Sequence, residues 1–170
     1  YQKFERKCDS SVTRKVVLGF NMGLFDFFKK KKSNESDDDL IEKSYDWLMT
    51  VLQVQSAMTS GTLAPLNSLP KDEWIYGYLY GHIDLYFQVS TLKDSKDAWQ
   101  IVVLRIFKSY YGDKLGSDIC YKFNKLFKQK TFNEGQKVGG QDLKDFMSKG
   151  EKFSPMGMMF YLNKDLKKNK

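Results

Sequence analysis

Residues 74–88 read WIYGYLYGHIDLYFQ, and the fold class turns on whether this run is a strand or a helix. Alternation places Ile75, Leu79, Ile83, Leu85 and Phe87 on one face of a strand, whereas a 3.6-residue period aligns Ile75, Leu79, Ile83 and Phe87. The flanks select the helix. Ser68 and Pro70 precede an acidic first turn of Asp72 and Glu73, which suits free backbone N–H groups, and the 15 residues of 74–88 are long for one strand. A strand is the alternative that the pattern leaves open.

Helical punctuation continues on both sides. Upstream, Gly61, Pro65, Asn67, Ser68 and Pro70 mark 61–70 as a connection. Before it, Ile41, Tyr45, Leu48 and Leu52 form one stripe and Trp47, Val51, Val54 and Met58 a second, behind a cap of Asp37, Asp38 and Asp39. Downstream, Asp94 and Ser95 precede Trp99, Val102, Val103, Ile106 and Tyr110, and Gly112 stops that helix. Ser117 and Asp118 open a helix carrying Cys120, Phe123 and Phe127. Thr131 and Glu134 have capping-box spacing, Gly139-Gly140 interrupts, and Leu143, Phe146 and Met147 lie on a short helix stopped by Gly150. Ser154 and Pro155 begin a last helix through Met158, Tyr161, Leu162 and Leu166. The expectation is an all-α protein, one compact bundle of about six helices over residues 39–170, preceded by a flexible basic tail and linker over 1–38.

Charge follows the same division. Of 28 Lys/Arg and 21 Asp/Glu, residues 1–34 hold nine and three, leaving 19 and 18 for residues 35–170. The formal +7 therefore belongs mostly to the tail. Met22 opens Met-Gly-Leu-Phe-Asp-Phe-Phe ahead of Lys29 to Lys32, so residues 1–21 read as sequence upstream of a true start. Leu24, Phe25, Phe27 and Phe28 are too few for a stable amphipathic helix, so the tail is not expected to hold a membrane surface. No apolar run reaches the roughly 18 to 20 residues of a membrane span. Two cysteines, Cys8 and Cys120, do not make a disulfide scaffold, and the cytoplasm is the expected compartment.

Chemically suggestive residues are few. His82 is the single histidine, and Asp84, two positions on, does not share its helix face. Packing in the core is its bland role and acid–base or ligand chemistry the sharper one. Cys120 beside Phe123 and Phe127 reads as core, and no ligand spacing for a metal or cofactor occurs. Gly77 and Gly81 sit four apart inside a helix, where each costs about 0.5–1 kcal/mol relative to Ala. Something is expected to approach closely there: a neighbouring helix, a second subunit, or a flat ligand against Tyr76, Tyr80, Asp84 and Gln88. Lys122, Lys125 and Lys128 make one basic helical stripe that, with Arg105 and Lys108, offers phosphate contacts without base readout.

These residues rank three functions. The first is a small interaction protein that dimerises or binds a partner protein through an aromatic surface, since ten tyrosines and three tryptophans exceed what a core needs. The second is non-sequence-specific nucleic-acid binding by the lysines and tail, and the third an enzyme or ligand binder around His82 and Asp84. The domain boundary is testable at once: a chain beginning at Ser36 keeps its helical circular dichroism and cooperative thermal transition. Loss of that transition would place the tail in the core.

Overall fold

The computed structural model describes residues 36–60, 69–92, 94–149 and 156–168, with side chains for all but 56–60 and 164–168. The tail, including Cys8, Met22 and the Leu24–Phe28 segment, lies outside the described residues, as do most of the 61–70 connection and the expected Ser154-Pro155 helix start. The described residues form seven helices: α1 (Asp37–Ser60), α2 (Glu73–Val89), α3 (Lys96–Tyr111), α4 (Asp113–Tyr121), α5 (Phe123–Leu126), α6 (Lys130–Lys149) and α7 (Gly157–Lys168). There are no strands among the described residues, and no helix there is long and apolar enough to cross a membrane.

The ambiguous run is α2, and its composition is explained by burial on nearly every side. Trp74, Ile75, Gly77, Tyr78, Leu79, Tyr80, Gly81, His82, Ile83, Tyr86 and Phe87 are all buried, so neither a single stripe nor clean alternation could have emerged from it. Asp72 caps it, accepting hydrogen bonds from the Trp74 and Ile75 amides at 2.7 and 3.4 Å. At α1 the cap is Ser36, whose hydroxyl accepts from the Asp39 amide at 3.1 Å while Asp39 returns its carboxylate to Ser36. This reciprocal box satisfies amide groups that the helix leaves free.

The dominant contact is between α2 and α6, and it is backbone against backbone. A methyl group at Gly77 would fall on the Phe132 carbonyl oxygen, and one at Gly81 on that of Gln136. Reciprocally, one at Gly135 would fall on the Trp74 carbonyl and one at Gly139 on that of Tyr78. Both partners advance together along the chain, so the two helices run parallel, with two glycine pairs of equal spacing meshed into each other's turns. Each glycine Cα–H faces a carbonyl oxygen, an arrangement in which such contacts contribute about 0.5–1 kcal/mol each.

Two sequence expectations change here. Gly139-Gly140 does not interrupt: α6 is continuous from Lys130 to Lys149, because Gly139 is required by the α2 contact. Nor does one helix open at Ser117 and carry Cys120, Phe123 and Phe127. The Gly112 φ of 80° turns the chain straight into α4 at Asp113, and a second break at Lys122 starts α5. Gly116 explains the early start, for a Cβ there would lie 2.6 Å from the Lys108 Cα; α4 docks against the backbone of α3. The Lys122 turn then sends Phe123 inward to Phe107, Tyr80 and Phe132.

The last helix is pinned by two carboxylates. Tyr161 donates to Asp72 at 3.0 Å and stacks on Trp74 with centroids 4.0 Å apart. Asp142 accepts from the Tyr78 hydroxyl at 2.7 Å and from the Gly157 amide at 2.8 Å, which places a negative charge at the α7 N-terminus.

Adjacent glycines on α6 supply a test of opposite signs. A Cβ at Gly140 meets nothing nearer than the Gly81 oxygen at 3.6 Å, an ordinary contact. Gly140→Ala therefore stabilises by about 0.4–1 kcal/mol through helix propensity and a less entropic unfolded chain. Gly139→Ala destabilises by about 3 kcal/mol or more, since a backbone and not a flexible side chain must yield. Chemical denaturation of the two variants checks the pair.

Candidate functional site

The α2 residues singled out in the sequence do not form one site. Tyr76 points toward α3, edge-on to Tyr111 at 5.1 Å and Phe107 at 6.3 Å. Tyr80 lies at the centre of a ring cluster with Trp99, Phe123, Phe127 and Phe132, at centroid distances of 5.8, 5.2, 5.2 and 5.7 Å. Burial raises its phenol pKa to about 12, with a smaller contribution from Asp84. Gly77 and Gly81 both belong to the helix seam. Gly81 also borders a groove, whose α2 wall it forms with Asp84, Leu85 and Gln88.

That groove, about 490 Å³ in volume, runs between α2 and α6. Gly81, Asp84, Leu85 and Gln88 line it from α2, and Gln136, Lys137, Gly140, Gln141 and Lys144 from α6, with Asn133 at one end. Gly140 lowers its floor by carrying no side chain, next to Gly81, whose Cβ position is taken by the Gln136 carbonyl. Asp84 is half-buried. Burial raises its pKa, and hydrogen bonds with Gln136 and Gln88 partly offset the rise, the latter at 3.0 Å. The lining is therefore amide-rich, with one carboxylate on α2 and two lysines on α6.

His82 is fully enclosed and does not line this groove. Its Nδ1–H donates to the Tyr78 carbonyl at 3.1 Å, and its Nε2 lies 2.8 Å from the Gln55 amide nitrogen. Nε2 must then be the acceptor, which fixes the neutral Nδ1–H tautomer. The reverse amide orientation would require a doubly protonated ring, and burial depresses the His82 pKa to about 4. Gln55 Oε1 is left without a hydrogen-bond partner among the described residues. Cys120 is similarly restrained: burial raises its thiol to about 11 against the lowering influence of Lys108. Among the described residues no group of three or more His, Cys, Asp or Glu could hold a metal ion.

The phosphate-contact candidates separate into paired and unpaired. Arg105 makes a two-pronged ion pair with Glu42 and lies 4.2 Å above the Tyr45 ring, and Lys108 sits 3.6 Å from Asp113. Lys122, Lys125 and Lys128 are exposed, with no carboxylate partner among the described residues. They occupy the α4–α5 turn, α5 and the loop after it, so they do not form the stripe of one continuous helix. The aromatic surface also takes a different form: Trp74, Tyr78, Tyr80, Tyr86, Tyr110 and Tyr111 are buried, and among the described residues the large exposed rings are Tyr121, Phe127 and Phe160.

Sequence reasoning passed over the α6 half of the groove. The signal was present, because Gly135 and Gly139 repeat the Gly77/Gly81 spacing, but reading Gly139-Gly140 as a break concealed it. No protein-family model matches the chain, and no curated protein or solved structure matches it either.

The buried histidine predicts an acid-sensitive fold. The unfolded chain binds a proton near pH 6.5 and the folded chain only near pH 4, so stability present above 6.5 is lost as pH falls from 6.5 toward 4. The loss approaches about 3 kcal/mol at 1.36 kcal/mol per unit. Urea titrations of wild type and His82→Gln at pH 7.5 and 4.5 check it: the variant lacks this component of the pH dependence. An identical pH dependence in both would rule out the buried neutral ring.

Proposed function

We propose that this protein is a cytoplasmic interaction module that recognises an extended, acidic segment of a partner protein in the α2–α6 groove. One observation carries the reading. Gly140 is the interior α6 glycine that helix packing does not demand, and it is also the floor of the groove. An alanine would fit and favour the helix by about 1 kcal/mol, so the missing side chain serves the open space above it.

The walls suit a polypeptide. Each amide side chain carries both a donor and an acceptor, which matches the peptide groups of an extended chain. Lys137 and Lys144 are seven residues apart on one face, two helical turns or about 10 Å, and would meet two acidic groups at that spacing. The floor is the backbone seam, so the walls are held in place before anything binds, which limits the ordering cost of association. The neutral, enclosed His82 and the raised Cys120 thiol suit binding better than catalysis.

Panning a random peptide library against the protein tests this. Enriched peptides are expected to be acidic, to shift the amide resonances of Gly81, Gln136 and Gly140, and to lose binding to Gly140→Gln, which fills the floor, and to Lys137→Glu/Lys144→Glu. Peptides that bind Gly140→Gln unchanged would overturn the assignment. A concentration-dependent mass in solution, abolished by Gly140→Gln, would instead make the occupant a second copy of the chain.

A further inference from the structure

We infer that residues 119–133, from the end of α4 through α5 to the start of α6, form a binding site for single-stranded nucleic acid. This inference is independent of the groove. Tyr121 is 91% exposed at the last position of α4, and Phe127 is 38% exposed. The Lys122 turn separates them from their neighbour Phe123, which goes inside. Phe127 is not a loose surface ring. It stacks on Phe123 at 5.9 Å and meets Tyr80 and Phe132 edge-on at 5.2 and 5.6 Å, so its outward side is presented by a packed cluster.

Charge complements the rings. No Asp or Glu occurs from Ile119 to Asn133, while Lys122, Lys125, Lys128 and Lys130 do. Lys130 approaches Glu134 at 3.7 Å, and the other three have no carboxylate partner among the described residues. Two exposed rings, Tyr121 and Phe127, and three lysines without a carboxylate partner among the described residues fall within eight residues, the combination that holds bases by stacking and phosphates by charge. An acidic peptide would use the lysines but offer Tyr121 no flat partner. A duplex would hide its bases from both rings, and Arg105, the better base reader, is already paired with Glu42. The expected preference is for unpaired strands with little regard to sequence.

Fluorescence anisotropy of the full chain with a labelled oligothymidylate, a duplex of equal length and a polyglutamate peptide tests the site. Wild type is expected to bind the single strand most tightly. Tyr121→Ala weakens it about ten-fold, a typical cost for one stacked base, and Tyr121→Phe retains it. Lys122→Gln/Lys125→Gln/Lys128→Gln lowers the log–log salt slope by about 0.7 per lysine. Because these side chains are exposed, unchanged thermal transitions should accompany both losses. Three outcomes would overturn the proposal: single-strand affinity and salt slope unaltered in all these variants, which would assign binding to the basic residues 1–34; equal or tighter binding of the duplex; or binding of polyglutamate alone.

Discussion

The close contact between the backbones of α2 and α6 is the constraint on which the rest of the structure depends. Four glycines place Cα–H groups against carbonyl oxygens of the opposite helix, and no other residue could occupy those positions without separating the pair. Most helix pairs meet through side chains, with axes about 8–10 Å apart and room for substitution. Here the tolerance is removed, and the helix-weakening cost of interior glycine is accepted in return for a fixed register. Everything on either side of the seam inherits that register, from the Tyr78–Asp142 hydrogen bond across it, whose carboxylate also accepts from the Gly157 amide of α7, to the walls of the polar groove.

Much of the helical architecture was legible in the sequence because it rests on local chemistry. Apolar periodicity located α1, Ser95 and Gly112 bracketed α3, and Asp72 with Glu73 marked the start of α2. The failures share one cause. Gly139-Gly140 reads locally as a helix breaker, and only the position of Tyr78 and His82 on another helix explains why Gly139 is there. Phe123 and Phe127, four apart and downstream of Cys120, read as one helical face, yet the docking of Gly116 on Lys108 forces α4 to begin early and the chain to turn at Lys122. Local rules were overruled wherever backbones from distant parts of the chain meet.

The candidate site was half visible for the same reason. Gly81, Asp84 and Gln88 attracted attention because glycine is costly in a helix and because polar groups stood out in an apolar run. Their partners Gln136, Lys137, Gly140 and Lys144 look like the ordinary solvated face of α6 until the parallel packing places them across the groove. The tyrosine-rich composition pointed outward in the sequence and inward in the fold: rings such as Tyr78, Tyr86 and Tyr110 are core residues, with Tyr86 spending its hydroxyl on Ser44. Tyr121 was inconspicuous, and its exposure follows from a helix end that no capping residue announced.

Parallel pairing also sets the length of chain that must be closed to form the seam. The residues that mesh across the seam are 55 to 61 positions apart in sequence, as with Gly77 and Phe132 or Tyr78 and Gly139. By contrast, α3 meets α4 across the single turn at Gly112. Closing a long loop carries an entropic cost that must be met before its contacts contribute, whereas neighbouring helices can pair almost at once. The α2–α6 seam thus carries the larger closure cost, and the groove comes into being only when that seam forms. Its two walls belong to different helices, so it is absent from any state that lacks the seam.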